Sequence, residues 1–194
     1  VLLTTGILLL AACTFPGSVK PTVKIGLSAP FEGLYRDLGY EALHAVRLAV
    51  RQRNDAGGVG DRFLVELVAL NDFNEPEEAV VQARKMAVDP GVLGVLGGWS
   101  PEVVRVAAPA YQQEGLAFLA PSTDWTQKPS RPQDGVDPQL MAAYQALSGG
   151  APLGEAALWA YGQANWLLDA LDAATRAEGK PTRAGVRAAL AAGN

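Results

Sequence analysis

The sequence predicts an α/β fold built on a doubly wound parallel sheet, and three observations predict it. Short apolar runs bounded by glycine and proline alternate with longer stretches of helical period, the pattern of successive βαβ units. One stretch, residues 92–123 (VLGVLGGWSPEVVRVAAPAYQQEGLAFLAPST), holds a complete unit of strand, glycine turn, helix and strand. Crossovers between parallel strands are right-handed, which gives the four expected strands the sheet order 2-1-3-4.

Val23–Ala29 (VKIGLSA) is the first expected strand, and Gly33 marks a turn in the loop Pro30–Tyr35 that follows. A helix is expected over Gly39–Asn54, with Leu43, Val46 and Val50 at helical spacing, ended by the glycines of Ala56–Gly60. His44, inside that helix, reads as a surface or boundary residue. Phe63–Leu70 is the second strand, and the turn-rich loop Asn71–Pro76 leads to a helix over Pro76–Val88. Its acidic start (Glu75, Glu77, Glu78) and basic end (Arg84, Lys85) suit the helix dipole. Asp89-Pro90-Gly91 breaks it.

Val92–Leu96 reads as a strand buried on both faces, and Gly97-Gly98 allows the sharp turn behind it. Ser100 is a good N-cap and Pro101 a good first residue for a helix running to Glu114, whose apolar face is Val103, Val104, Ala107, Ala108 and Tyr111. Gly115 stops that helix, and Leu116–Ala120 is expected as another buried strand. In a βαβ unit the strand ends Trp99-Ser100 and Ser122-Thr123 emerge on one edge of the sheet. Helix N–H groups beside serine and threonine hydroxyls suit an anion, most simply a carboxylate. The topological switch falls between strands one and three, where residues 29–35 and 97–100 meet, and ligands of such sheets bind there.

After Thr123 the character changes. Residues 124–137 (DWTQKPSRPQDGVD) are polar and proline-rich and read as a linker or exposed loop. Helices are then expected over Pro138–Leu147, Gly154–Glu178 and Thr182–Ala192. The middle one is apolar round much of its circumference and should be the least exposed, with Trp159 and Trp166 serving packing.

Of the 194 residues nearly half are apolar, the net charge is −4 and no basic block occurs, which disfavours a nucleic-acid partner. One cysteine and one histidine exclude a disulfide framework and a structural zinc site, so no metal is expected. Gly98-Trp99-Ser100-Pro101-Glu102 approaches the nucleophile elbow, but its last glycine is replaced and the only histidine precedes the serine. Neither a P-loop nor G-x-G-x-x-G is present. The chain is therefore expected to be no enzyme and to carry no cofactor.

Residues 1–12 form the apolar centre of an incomplete secretory signal; either Val1 is an alternative start or the sequence is clipped. Leu10-Ala11-Ala12-Cys13 resembles the bacterial lipobox, which implies lipidation of Cys13, a tether over residues 13–22, and a lipid-anchored protein outside the cytoplasmic membrane.

Over most of its length the chain resembles the type I periplasmic binding proteins, specifically the branched-chain amino acid (leucine, isoleucine, valine) group of ABC-importer solute receptors. The resemblance is carried by VKIGLSAPFEG followed by YRDLG, NDAGGVG, LNDFNEPEEAV, GVLGVLGGWS and GLAFLAPST, in that order, and by Tyr144–Pro152 and the helix around Leu158–Leu171. It implies that Ser100 holds a ligand carboxylate, that Ser122 and Thr123 add to the site, that Tyr35 or Phe31 supplies an aromatic near the ligand, and that Trp99 belongs to the ligand-binding set. It also implies an ABC-importer permease as partner. Family members have two lobes; here the linker 124–137 stands where the second lobe would be, and residues 23–194 are expected to form the first lobe with extra C-terminal helices. The group that pairs with the ligand's ammonium goes with the missing lobe. Two functions stay open: a solute-binding lipoprotein of an amino-acid importer, and a single-lobe lipoprotein acting as a sensor or interaction module.

Replacing Cys13 with alanine is expected to abolish fatty-acid labelling and membrane partitioning together. Retention of both by the variant would refute the anchor.

Overall fold

The computed structural model describes residues 20–127 and 135–193. The expected signal segment, Cys13 and the tether up to residue 19 lie outside the described residues, as do residues 128–134 of the expected linker. The elements run β1 (Thr22–Ala29), α1 (Arg36–Asp55), β2 (Leu64–Asn71), α2 (Pro76–Val88), β3 (Val92–Leu96), α3 (Pro101–Gln113), β4 (Ala117–Leu119), α4 (Pro138–Ser148), α5 (Glu155–Glu178) and α6 (Arg183–Ala192).

All four strands are parallel, in the expected order β2-β1-β3-β4 of a doubly wound sheet. Reversal of the winding direction between β1 and β3 puts α1 on one face of the sheet and α2 and α3 on the other. The inner strands are enclosed on both faces, and Ile25, Leu27, Val92, Val95 and Leu96 are fully buried. β4 departs from the expected buried strand. It has three residues, Phe118 and Leu119 are only half-buried, and among the described residues nothing pairs with its outer edge.

The α1 face is closed by α5, which packs on α1 and β3. Ala156, Ala157, Ala160 and Ala164 of α5 and Ala42, Ala45 and Ala49 of α1 are all fully buried, and their small side chains let the two helices lie close. Farther along, Leu167 lies over β3 where Gly94 has no side chain; a Cβ there would come within 2.6 Å of Leu167 Cδ1. α4 buries only Tyr144 and α6 buries Gly185, Val186 and Leu190, so α5 is the most enclosed of the three, as the sequence predicts. α6 is fixed by a contact that local pattern does not reveal. The Arg183 guanidinium donates to the carbonyl oxygens of Val92 (3.0 Å), Ala87 (2.9 Å), Asp89 (2.8 Å) and Glu114 (3.2 Å), joining the ends of α2 and α3 to the start of β3.

At the carboxyl edge of the sheet the loops after β1 and β2 are tied together. Asp72, fully buried, accepts hydrogen bonds from Ser28 Oγ (2.7 Å) and Asn74 N (2.9 Å), and its own N–H donates to the Ala29 carbonyl (3.2 Å). Asn71 Oδ1 accepts from the Phe31 N–H (2.9 Å) and the Phe73 N–H (3.0 Å). Burial pushes the Asp72 carboxyl above the ordinary range, although the Ser28 and Asn74 bonds act in the opposite direction.

Two predictions follow from this packing. Leu167→Ala would leave a cavity over Gly94 and is expected to cost about 2–5 kcal/mol in denaturant unfolding; a loss within experimental error would mean that α5 does not hold the sheet. Because Asp72 has a higher pKa folded than unfolded, its contribution is fully present below the unfolded value of about 3.9 and is lost as pH rises through the folded one. The stability of Asp72→Asn relative to the parent should therefore improve from pH 4 to pH 7. A difference that stays flat across that interval would show that burial does not oppose ionisation of Asp72.

Candidate functional site

The site grows from the turn between β3 and α3. Gly98 has φ +80°, and a Cβ there would meet Val104 Cγ2 at 2.7 Å, so only glycine passes the chain into the helix this closely. Ser100 follows with extended backbone (φ −134°, ψ 154°) in the N-cap position, and its carbonyl accepts the first helical bond from Val104 N (3.0 Å). The sequence predicts a serine cap, and the residue is in place, but its hydroxyl makes no capping hydrogen bond. Ser100 is only 4% exposed. Pro101 at the next position has no N–H, and the N–H groups behind it point out of the positive end of α3 without a side-chain acceptor from the cap.

Beside this helix start lies an open cleft of about 350 Å³ lined by Pro101, Val104 and Arg105 of α3 and by Pro121, Ser122 and Thr123 of the loop after β4. Small-molecule sites begin at about 300 Å³, so the cleft suits a ligand of few atoms. Pro101, Val104 and Arg105 share one face of α3 through i, i+3, i+4 spacing. Arg105 is the lining residue that sequence reasoning misses. Its only signal is that spacing, which identifies a face of the helix but not what stands opposite.

The expected site residues are only partly brought together. Ser122 and Thr123 line the cleft; Ser100, buried one residue before Pro101, is not part of its lining. Trp99 does not reach it. The indole is fully buried in the core, donates from Nε1 to the Ser28 carbonyl (2.9 Å) and meets Trp159 edge to face at 5.4 Å. Tyr35 and Phe31 are half-buried across the switch, where Tyr35 precedes α1 and Phe31 packs edge-on against Tyr40 at 5.7 Å; neither lines the cleft. The expected exposed loop after Thr123 also begins differently. Trp125 is buried and its N–H donates to the Trp99 carbonyl (3.1 Å), which anchors the start of the segment because a large indole finds apolar surface beside Trp99.

His44 is half-buried between Tyr40 and Tyr144, and burial, with Arg47 second, lowers its pKa. It has no part in the cleft. Among the described residues no group of three or more His, Cys, Asp or Glu is placed to hold a metal ion.

Comparison with known proteins agrees with this architecture. The family model described as periplasmic binding protein matches residues 22–134. A Leu/Ile/Val-binding protein homolog 1 from Brucella abortus is 28% identical over 117 residues, covering 60% of this chain and 31% of that protein. A leucine-, isoleucine-, valine-, threonine- and alanine-binding protein from Pseudomonas aeruginosa is 34% identical over 101 residues, covering 52% of this chain and 26% of that protein. The match thus spans about a third or less of either relative. In fold, the chain is similar to a Rhodospirillum rubrum protein assigned to branched-chain amino acid ABC transport, with TM-score 0.74, 18% identity, and coverage of 88% of this chain and 89% of that one. A substrate-binding periplasmic protein from Ralstonia solanacearum gives TM-score 0.63 at 14% identity, with 87% and 88% coverage. With a family model over more than half its length, and the parallel 2-1-3-4 sheet beneath it, the chain belongs to the periplasmic binding protein family.

Proposed function

We propose that the chain is an extracytoplasmic solute-binding component of an ABC importer and that it holds the α-carboxylate of a small amino acid at the start of α3. The observation that carries this reading is Ser100, a buried serine in the N-cap position whose hydroxyl makes no capping bond. A hydroxyl left over at the positive end of a helix is a donor for an anion, and a carboxylate there receives both the hydroxyl and backbone N–H groups. Ser122 and Thr123, lining the neighbouring cleft, are the further donors in this reading. The names of the relatives make leucine, isoleucine and valine the first ligands to try.

In the same reading Cys13 carries a lipid that holds the protein at the membrane, and a membrane permease of the importer is its partner. No helix among the described residues is long and apolar enough to cross a membrane. A second reading, a single-lobe sensor or interaction module, draws on the exposed Leu34 (86%) and Phe73 (42%) at the ends of β1 and β2. The cleft beside α3 favours solute binding over it.

The described residues supply one wall of the site, and good sites bury about 70–90% of a ligand's surface. Calorimetry on this chain is therefore expected to give leucine, isoleucine or valine a Kd no tighter than about 1 mM, or roughly −4 kcal/mol. Ser100→Ala should weaken binding several-fold further. Equal binding by the variant would remove Ser100 from the site, and micromolar binding would contradict a one-walled site.

A further inference from the structure

Arg105 lies in the second turn of α3 and lines the cleft. It is exposed, and among the described residues it forms no ion pair. Glu102, three residues before it in the first turn of α3, does not pair with it. Helical side chains lean toward the helix N-terminus, and Arg105 lines the same cleft as Pro101. A permanent cation therefore lines the cleft, and among the described residues no carboxylate pairs with it. An anion in the cleft would supply that partner.

The rest of the lining is consistent with such an occupant. Ser122 and Thr123 offer hydroxyl donors across from α3, and Pro101, Val104 and Pro121 offer apolar wall for a short methylene stem. Residues rise by about 1.5 Å each along a helix, so Arg105 stands about 7 Å beyond Ser100, which leaves room for one carboxylate beside another. The planar guanidinium fork matches a carboxylate in shape as well as charge.

We infer that Arg105 holds a second carboxylate of the ligand, so that the site prefers an acidic amino acid to an aliphatic one. This rests on the reading that Ser100 holds the α-carboxylate of an amino acid.

The test is calorimetry on the full chain with aspartate, glutamate, leucine and, as a dicarboxylate without an amine, succinate. Aspartate or glutamate is expected to bind about tenfold or more tighter than leucine, with the gap narrowing at high salt. Arg105→Ala should close most of that gap, and Arg105→Lys should restore part of it, because charge returns without the fork. Circular dichroism checks that the variants remain folded, as substitution of an exposed side chain allows. Leucine bound as tightly as both acids, or a preference that survives Arg105→Ala, overturns this inference and leaves the amino-acid site at Ser100 standing. Arg105-dependent binding of succinate with no amino acid bound would overturn the amino-acid reading and support the anion subsite. Failure of all four ligands would overturn both.

Discussion

The close approach of α5 to β3 and α1 is the contact on which the rest of the molecule depends. A parallel sheet must be covered on both faces, and α1 alone is too narrow to cover one of them. α5 completes the cover because Gly94 has no side chain where Leu167 lies and because alanines line the helix pair on both sides. The same helix reaches the carboxyl edge of the sheet. Its Trp159 packs edge to face on Trp99, whose indole N–H holds the Ser28 carbonyl and whose own carbonyl holds Trp125 N. The covering of the core and the shape of the site loops are thus set by one element.

The two halves of the carboxyl edge are built differently. On the β1–β2 side, polar groups are turned inward: Ser28, Asp72 and Asn71 bind one another's loops, and the Asp72 carboxyl is held in an environment that raises its pKa. Such buried groups are costly unless partnered, and the partners here are backbone and side-chain donors of the adjacent loop. On the β3–β4 side the polar groups of Ser100, Ser122 and Thr123 form no comparable network among the described residues. One side is closed by its own hydrogen bonds, and the other has no such network among the described residues.

The opposite edge follows the same electrostatic logic with the sign reversed. Arg183 satisfies carbonyls at the ends of α2 and α3, where helix dipoles attract a cation. The chain fills the negative ends of these helices from within and leaves the positive end of α3 without a side-chain cap. Arg105, one turn into α3, lines the cleft beside that end.

By itself the sequence determined the elements and their order. Glycine stops, the Ser100-Pro101 start, the apolar runs and the 3.6-residue periods act over a few residues, and a doubly wound arrangement of that series has the sheet order 2-1-3-4 seen here. It determined equally that Ser100 stands at the start of α3 and that Ser122 and Thr123 follow β4. Only the tertiary structure decided which groups meet. Trp99 and Trp125 look like loop residues in a linear reading, yet both are buried, Trp99 against Trp159 of α5 and Trp125 with its backbone N–H on the Trp99 carbonyl. Phe31 and Tyr35 stand apart from the cleft because their loop is tied to β2 through Asn71 and Asp72. Arg183 and Arg105 read alike in the sequence, as arginines near helix starts. One is bound to four carbonyls and the other lines an open cleft, because partners distant in the chain, which no local pattern records, decide the environment of a long charged side chain.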